Sequence, residues 1–380
     1  MAEVRPSAKF APKRFPRPFV GLTLAPHGAL YCPAKREPRA EDMRRLLFIV
    51  AVLSCAPCWA LPAAAADQSL LNRCWAPETL AGSDRERLSA RGHHLDLTPL
   101  RQEPLPPASP VPPELRGSVR GVTLPPGEKL IALTFDLCET DGDVAGYDGR
   151  IVDLLRAQGV KATFFAGGKW METHQERAEQ LMADPNFEIG SHGLRHLDLS
   201  RAGDPNLNDE IVLTEAAYAQ TRASLLTKQC AAGFAPASSV PERMSVMRFP
   251  YGRCSAKSLA AVADAGLIAI QWDVVTGDPD PHQSAKAILN TILAQVHPGA
   301  IIVAHANGRG WHTADALALA IPKLKEEGYS FVTVSELLAA GKPVIAAKCY
   351  LNRPGDTPRL AKLQPKGAPH DIFTLFGPDQ

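Results

Sequence analysis

Leu130-Ile131-Ala132-Leu133-Thr134-Phe135, followed at once by Asp136-Leu137-Cys138-Glu139, is the stretch on which the fold turns. Six apolar or β-branched residues without Gly or Pro read as a strand buried on both faces, and the polar residues behind them mark its C-terminal end. Runs of the same kind recur at Ala162–Phe165, Phe187–Gly190, Val246–Phe249, Leu267–Trp272, Ala300–Ala304 and Phe331–Val334. Between them, Arg150–Gln158, His174–Met182, Asn208–Thr227, Ala256–Ala265, Ser284–Val296 and Thr313–Glu327 carry apolar residues at three- and four-residue spacing, the period of a helix with one buried face. Seven strands separated by six helices predict an α/β fold with a parallel sheet. A barrel and an open doubly wound sheet both satisfy that alternation. No glycine-rich dinucleotide fingerprint follows the first strand, which argues against a Rossmann domain.

Outward from this core the composition changes. Residues 99–126 hold nine prolines, among them Pro106-Pro107, Pro112-Pro113 and Pro125-Pro126, a density that favours extended polyproline over helix. Residues 67–126 are therefore expected to be an irregular N-terminal region and linker, residues 127–341 the globular domain, and residues 342–380 a C-terminal tail. Further upstream, Arg44-Arg45, the apolar run Leu46–Ala60 and the exit Ala64-Ala65-Ala66 are the three parts of a secretory signal. Pro57 and Pro62 interrupt the run, which is too short for a permanent membrane span. Residues 1–66 are thus expected to be leader and signal peptide, with Met43 the true start and Asp67 the first residue of a secreted or periplasmic protein. Val52-Leu53-Ser54-Cys55 offers an alternative lipoprotein acylation box.

The whole chain has 380 residues, 45% of them hydrophobic and 21% charged, with a net charge of +1. This is enough to bury a core and excludes general disorder; it also excludes a nucleic-acid binder that works by bulk charge. Of eight cysteines, Cys74, Cys138, Cys230, Cys254 and Cys349 remain after cleavage. In an oxidising compartment some of them pair, and the odd number leaves one over. The mature chain has no CxxC, which speaks against a thiolate zinc site and against a thioredoxin-like dithiol.

In either architecture, functional residues belong at the C-terminal ends of the strands, and polar residues cluster there. Asp136 and Glu139 close the first strand, Ser191-His192-Gly193-Leu194-Arg195-His196 the third and Arg248-Phe249-Pro250-Tyr251-Gly252 the fourth. Trp272-Asp273, with Asp278 and Asp280 behind it, closes the fifth, and His305-Ala306-Asn307 the sixth. His192 and His196 have the four-residue spacing that lets two imidazoles hold one divalent metal. Such a metal acts as a Lewis acid on a carbonyl and lowers the pKa of a water.

Leu133-Thr134-Phe135-Asp136, Ser191-His192 to His196, Arg248-Phe249-Pro250-Tyr251 and Val303-Ala304-His305, in this order, resemble four of the five motifs of the polysaccharide deacetylase family. This is the NodB homology domain, carbohydrate esterase family four, and the resemblance covers about residues 128–340. It implies a distorted (β/α)7 barrel and metal-dependent hydrolysis of acetyl groups, typically on N-acetylglucosamine polymers, with zinc the metal expected. By the same resemblance Asp136 is the general base, Arg248 holds it ionised, and the backbone N–H of Tyr251 faces the oxyanion. His192 and His196 are metal ligands, His305 is the acid that protonates the leaving amine, and Val303 lines the methyl pocket. Trp311 is either a sugar-stacking wall or loop packing.

Two positions depart from the family pattern. The aspartate that follows the base, normally the third metal ligand, is Leu137 here; Glu139 is expected to replace it, with Asp148 the alternative. The aspartate that orients the acid histidine is replaced by Val275, so Asp273 or Asp278 is expected to take over. Cys138 and Cys254 flank two of the motifs and are candidates to pair with each other. The function expected is a secreted, metal-dependent N-deacetylase of a glycan such as peptidoglycan or a chitin-like polymer. The rivals are an O-acetyl esterase or small-amide hydrolase on the same fold, and a glycan-binding barrel that has lost catalysis.

Overall fold

A computed structural model of the chain describes residues 69–234, 240–352 and 354. The expected leader, signal and acylation box, Met43 and Cys55 included, lie outside the described residues. The strands in chain order are β1 (Ala90–His93), β2 (Ser118–Thr123), β3 (Leu130–Leu137), β4 (Gly142–Val144), β5 (Ala162–Ala166), β6 (Phe187–Ser191), β7 (Val246–Met247), β8 (Ile268–Ile270), β9 (Val274–Val275), β10 (Ile301–His305), β11 (Ser330–Val332) and β12 (Lys342–Ala346). The helices between them run Gly149–Gln158, Gln175–Ala183, Asp204–Thr227, Ala256–Asp264, Ala285–Gln295 and Thr313–Glu326. These bounds lie within a few residues of those expected, because long amphipathic periods and doubly buried strands are the strongest local signals a chain carries.

The barrel is a sequence of parallel pairings. β5 adds to β3, β6 to β5, β7 to β6 and β8 to β7, while β10 flanks the other edge of β3. Closure falls to the segment that begins as β8 and continues as β9, since β9 pairs with β10. β11 pairs with the first residues of β3, Leu130–Ala132, below the point where β5 joins. This is the distorted (β/α)7 barrel.

The distortion has a visible cause. β2 pairs with β8 and, through Gly121, bridges to Ala300 just before β10, so a further strand is wedged between the lower ends of β8 and β10. The approach is so close that a Cβ on Gly299, at φ +85°, would stand 1.7 Å from the Val122 carbonyl oxygen. β12 then pairs antiparallel with β2. Both strands lie where a linker and a tail are expected. Proline density hid β2 because the prolines end at Pro113 and resume at Pro125, and Ser118–Thr123 between them contains none.

Residues 69–102, in the expected irregular N-terminal region, pack against the barrel. Leu70, Leu71, Trp75, Leu80 and Leu100 are buried in the apolar layer beneath the barrel helices, and a Cys74–Cys230 disulfide ties the segment to the body. Cys254 pairs with Cys349, so the expected Cys138–Cys254 pairing is corrected.

Side chains alternate across β3. Leu133, Phe135 and Leu137 enter the layer under the helices, whereas Ala132 joins the smaller cluster inside the barrel with Val303, Ile270 and Trp272. That parity, two residues per repeat, decides which residues after Phe135 reach the barrel mouth.

Candidate active site

The register of β3 against β10 sets Asp136 beside His305. Both line one cleft, together with His196, Tyr251, Thr276, Asp278, Val303 and Leu351. Asp136 is buried, and its Oδ1 accepts a hydrogen bond of 2.8 Å from Arg248 Nη1. Burial by itself would raise the pKa of this carboxyl. The charge of Arg248, aided by His192 and His305, outweighs that and holds it below the usual carboxylate range.

His305 has the opposite balance. Burial pushes its imidazole down, but the Asp278 carboxylate overcomes this and raises the net value. Asp278 Oδ1 lies 3.0 Å from His305 Nδ1, while its Oδ2 accepts from the His305 backbone N–H at 2.7 Å and from Thr313 Oγ1 at 2.6 Å. Thr276 Oγ1 donates to Oδ1 at 2.9 Å. With its oxygens engaged on several sides, Asp278 is fixed, and it fixes the ring.

Asp273, the other orienting candidate, is engaged elsewhere. It accepts from the Ile301 backbone N–H at 2.9 Å and pairs with His297 at 3.0 Å. Its carboxylate therefore anchors Ile301, the first residue of β10, at the opposite end of that strand from the histidine it was expected to orient.

His192 Nδ1 lies 2.9 Å from the Arg248 carbonyl oxygen. A carbonyl accepts only, so Nδ1 carries the proton and Nε2 presents its lone pair, 3.6 Å from Asp136 Oδ2. Burial lowers the pKa of this ring, against the opposing pull of the Asp136 carboxylate. The ring of His196 lies 5.0 Å from that of His192, centroid to centroid.

The third residue of this group is neither Glu139 nor Asp148. One ligand atom from each of Cys138, His192 and His196 lies within 4.8 Å of the others. Glu139 accepts from the Ala145 N–H and from Thr173 Oγ1, both at 2.9 Å, and faces Lys169 Nζ at 3.3 Å. Asp148 is held by Arg150 at 3.0 and 2.9 Å and by Arg87 at 3.2 Å. Strand parity accounts for the outcome: Asp136 and Cys138 are two apart and share the mouth, while Leu137 and Glu139 turn to the other side. The alternation was present in the sequence and would have singled out Cys138. The donor set of one sulfur and two imidazole nitrogens suits a divalent cation of the zinc type.

Tyr251 sits in a tight turn, Pro250–Gly252, with φ 58°, and its ring packs on that of His196. Val303 and Leu351 form apolar wall in the cleft. Trp311 is 46% exposed and is not part of that wall; its N–H donates to the Asp278 carbonyl at 3.3 Å. Leu351 carried no motif, whereas Trp272 closes the fifth expected strand. They meet because Trp272 Nε1 donates to the Leu351 carbonyl at 3.2 Å, Arg120 holds the same carbonyl at 2.9 Å, and the Cys254–Cys349 disulfide pins the segment.

A barrel that keeps a carboxylate ionised and, across the same cleft, helps an imidazole hold its proton is equipped for acid–base chemistry, and its class is that of an enzyme. The family model for polysaccharide deacetylase matches residues 123–270. A peptidoglycan-N-acetylglucosamine deacetylase of Bacillus cereus is 30% identical over 214 residues, which cover 56% of this chain and 69% of the relative. A chitooligosaccharide deacetylase of Bradyrhizobium is 29% identical over 228 residues, covering 56% of this chain and 91% of the relative. Among solved structures, the Bc1960 peptidoglycan N-acetylglucosamine deacetylase, in complex with a hydroxamate-type benzamide, is 28% identical with a TM-score of 0.47, covering 59% of this chain and 93% of that one. The chain belongs to the polysaccharide deacetylase family, and it is a deacetylase-type enzyme.

Proposed function

We propose that this chain is an exported, metal-dependent hydrolase that removes N-acetyl groups from a glycan, either peptidoglycan or a chitin-like polymer. The observation that carries the reading is the opposed pair across one cleft: Asp136, whose carboxyl Arg248 grips and holds below the usual range, and His305, whose pKa Asp278 raises through its contact with Nδ1. Asp136 takes a proton from the water that attacks the acetyl carbon. His305 gives its proton to the amide nitrogen as the carbon–nitrogen bond breaks, which leaves acetate and a free amine. The backbone N–H of Tyr251 faces the oxygen on which charge develops. Val303 and Leu351 enclose the methyl group, and the exposed ring of Trp311 gives a sugar a stacking surface.

A divalent cation held by His192 and His196, with zinc the one these donors suit, would supply Lewis acidity at the carbonyl and lower the pKa of a water. Two disulfides support passage through an oxidising compartment, and N-terminal sequencing of exported protein should find Asp67 first. The test is acetate release from N-acetylated chito-oligomers and peptidoglycan fragments, set beside O-acetylated sugars. Wild type should cleave the N-acetyl substrates, and His305→Ala should lose them by ~10²-fold or more while keeping more of any ester activity, since an alkoxide needs less help to leave. Equal activity of the two proteins on amides would remove His305 as the acid. Hydrolysis confined to esters would turn the reading into that of an esterase.

A further inference from the structure

The family pattern completes the metal site with a carboxylate directly after the base, and in this chain that position is Leu137, fully buried in the layer under the helices. Three observations meet at the next residue. Cys138 shares the strand face of Asp136, and its sulfur stands with ligand nitrogens of His192 and His196, all within 4.8 Å of one another. The carboxylates nearest in sequence are committed elsewhere: Glu139 to Lys169, Thr173 and the Ala145 N–H, Asp148 to Arg87 and Arg150.

The third observation is Asn307. The register that sets His305 beside Asp136 carries Asn307, two residues on, over Cys138. Its Nδ2 donates to Cys138 Sγ at 3.1 Å and to the Cys138 carbonyl at 3.0 Å. The orientation of the amide is settled from its other end, where Oδ1 accepts from the Arg309 N–H at 3.2 Å. A buried amide N–H aimed at sulfur supports an electron-rich thiolate, the form in which cysteine binds metal.

We propose that Cys138, as a thiolate, is the third protein ligand beside His192 and His196, making this a sulfur–bis-imidazole site selective for zinc-like cations over magnesium and manganese. The proposal rests on the metal-dependent reading above. Thiolate is a soft donor, favoured by zinc and cobalt, whereas magnesium and manganese prefer oxygen. Asp136 is thereby left to act as the base.

Cobalt(II) is a spectroscopic stand-in for zinc, and titrating it into the full chain tests the assignment without any reference to activity. The wild-type protein should develop a sulfur-to-cobalt charge-transfer band in the near ultraviolet together with visible d–d bands. Cys138→Ser should lose the sulfur band and bind zinc at least about tenfold more weakly, the scale on which altering a metal's surroundings acts. Cys138→Asp should recover affinity without the sulfur band. Site-resolved alkylation reads the same point in unaltered protein: zinc should shield Cys138 from iodoacetamide, and a chelator should expose it. Visible d–d bands with no sulfur band, a sulfur band of equal strength in Cys138→Ser, or alkylation of Cys138 indifferent to zinc would each overturn the thiolate assignment while the metal reading stands. Failure of wild type to bind cobalt or zinc at all would overturn both.

Discussion

His196 and Tyr251 are the two non-glycine residues with left-handed backbones among those described, at φ 57° and 58°, and their rings pack against each other with centroids 4.3 Å apart. Each such conformation costs about 1–3 kcal/mol, and a bulky aromatic is among the residues least suited to it. The two bends turn the chain after β6 and after β7 toward the same mouth, which brings the His196 ring beside that of His192. His196→Asn tests this division between backbone and ring, because asparagine tolerates the left-handed region but supplies no imidazole. The variant should melt within a few degrees of wild type and bind zinc at least about tenfold more weakly. A large drop in melting temperature would mean that the ring's packing on Tyr251 is its main contribution.

Asp136→Asn keeps size and removes the proton acceptor. Turnover should fall by about 10²–10⁴-fold, with zinc content, read by elemental analysis, close to wild type. Near-wild-type turnover would dismiss Asp136 as the base.

Asp278 raises the pKa of His305, so the proton His305 must donate is lost only as pH rises through that raised value. Removing the charge in Asp278→Asn lets the imidazole lose its proton at lower pH. The alkaline limb of the kcat profile should therefore move toward acid, and the acid limb, which reports the depressed Asp136, should stay in place. Asp273→Asn, which sits on Ile301 and His297 instead, should leave the alkaline limb unmoved.

Glu139 and Lys169 form a pair whose side chains are both fully buried. Lys169 also donates to the carbonyls of His93 and Thr140 at 2.9 Å, and to that of Asp143, which knits β4 and the end of β1 to the barrel. Glu139→Gln leaves the ammonium without its counter-charge and should cost about 3 kcal/mol in urea or thermal unfolding. Zinc content should be unchanged. Loss of zinc without loss of stability would return Glu139 to the ligand set.

His174 stacks on Trp170 with ring centroids 4.8 Å apart, and burial pushes its pKa from 6.5 down to about 4. Its contribution to stability is complete above pH 6.5 and is lost as pH falls toward about 4, because in that window the unfolded chain binds a proton that the folded chain refuses. The loss amounts to about 3 kcal/mol. His174→Phe keeps an aromatic ring over Trp170 and should flatten the acid side of the stability curve by about that amount. An unchanged slope in urea titrations across this range would contradict it.

Much of this protein was legible in one dimension. The runs from Leu130–Phe135 to Phe331–Val334 and the helical periods between them determined the barrel's elements, because a strand buried on both faces and a helix buried on one leave a periodic record in the chain. The ordered motifs around Asp136, His192, Arg248 and His305 located the mouth. Tertiary structure decided what depends on direction and on distant partners. Whether Asp273 or Asp278 meets His305 turns on where the chain leaves β9, and both are acidic residues close behind the same run. By type Glu139 is the natural replacement for a missing carboxylate, but strand parity sends it to Lys169 and leaves Cys138 beside His192 and His196. β2, β12 and Leu351 carry no motif and acquire their places through pairings, hydrogen bonds and a disulfide that span up to 231 residues of chain. Local periodicity records burial, whereas the partner of a given side chain is fixed only when the barrel closes.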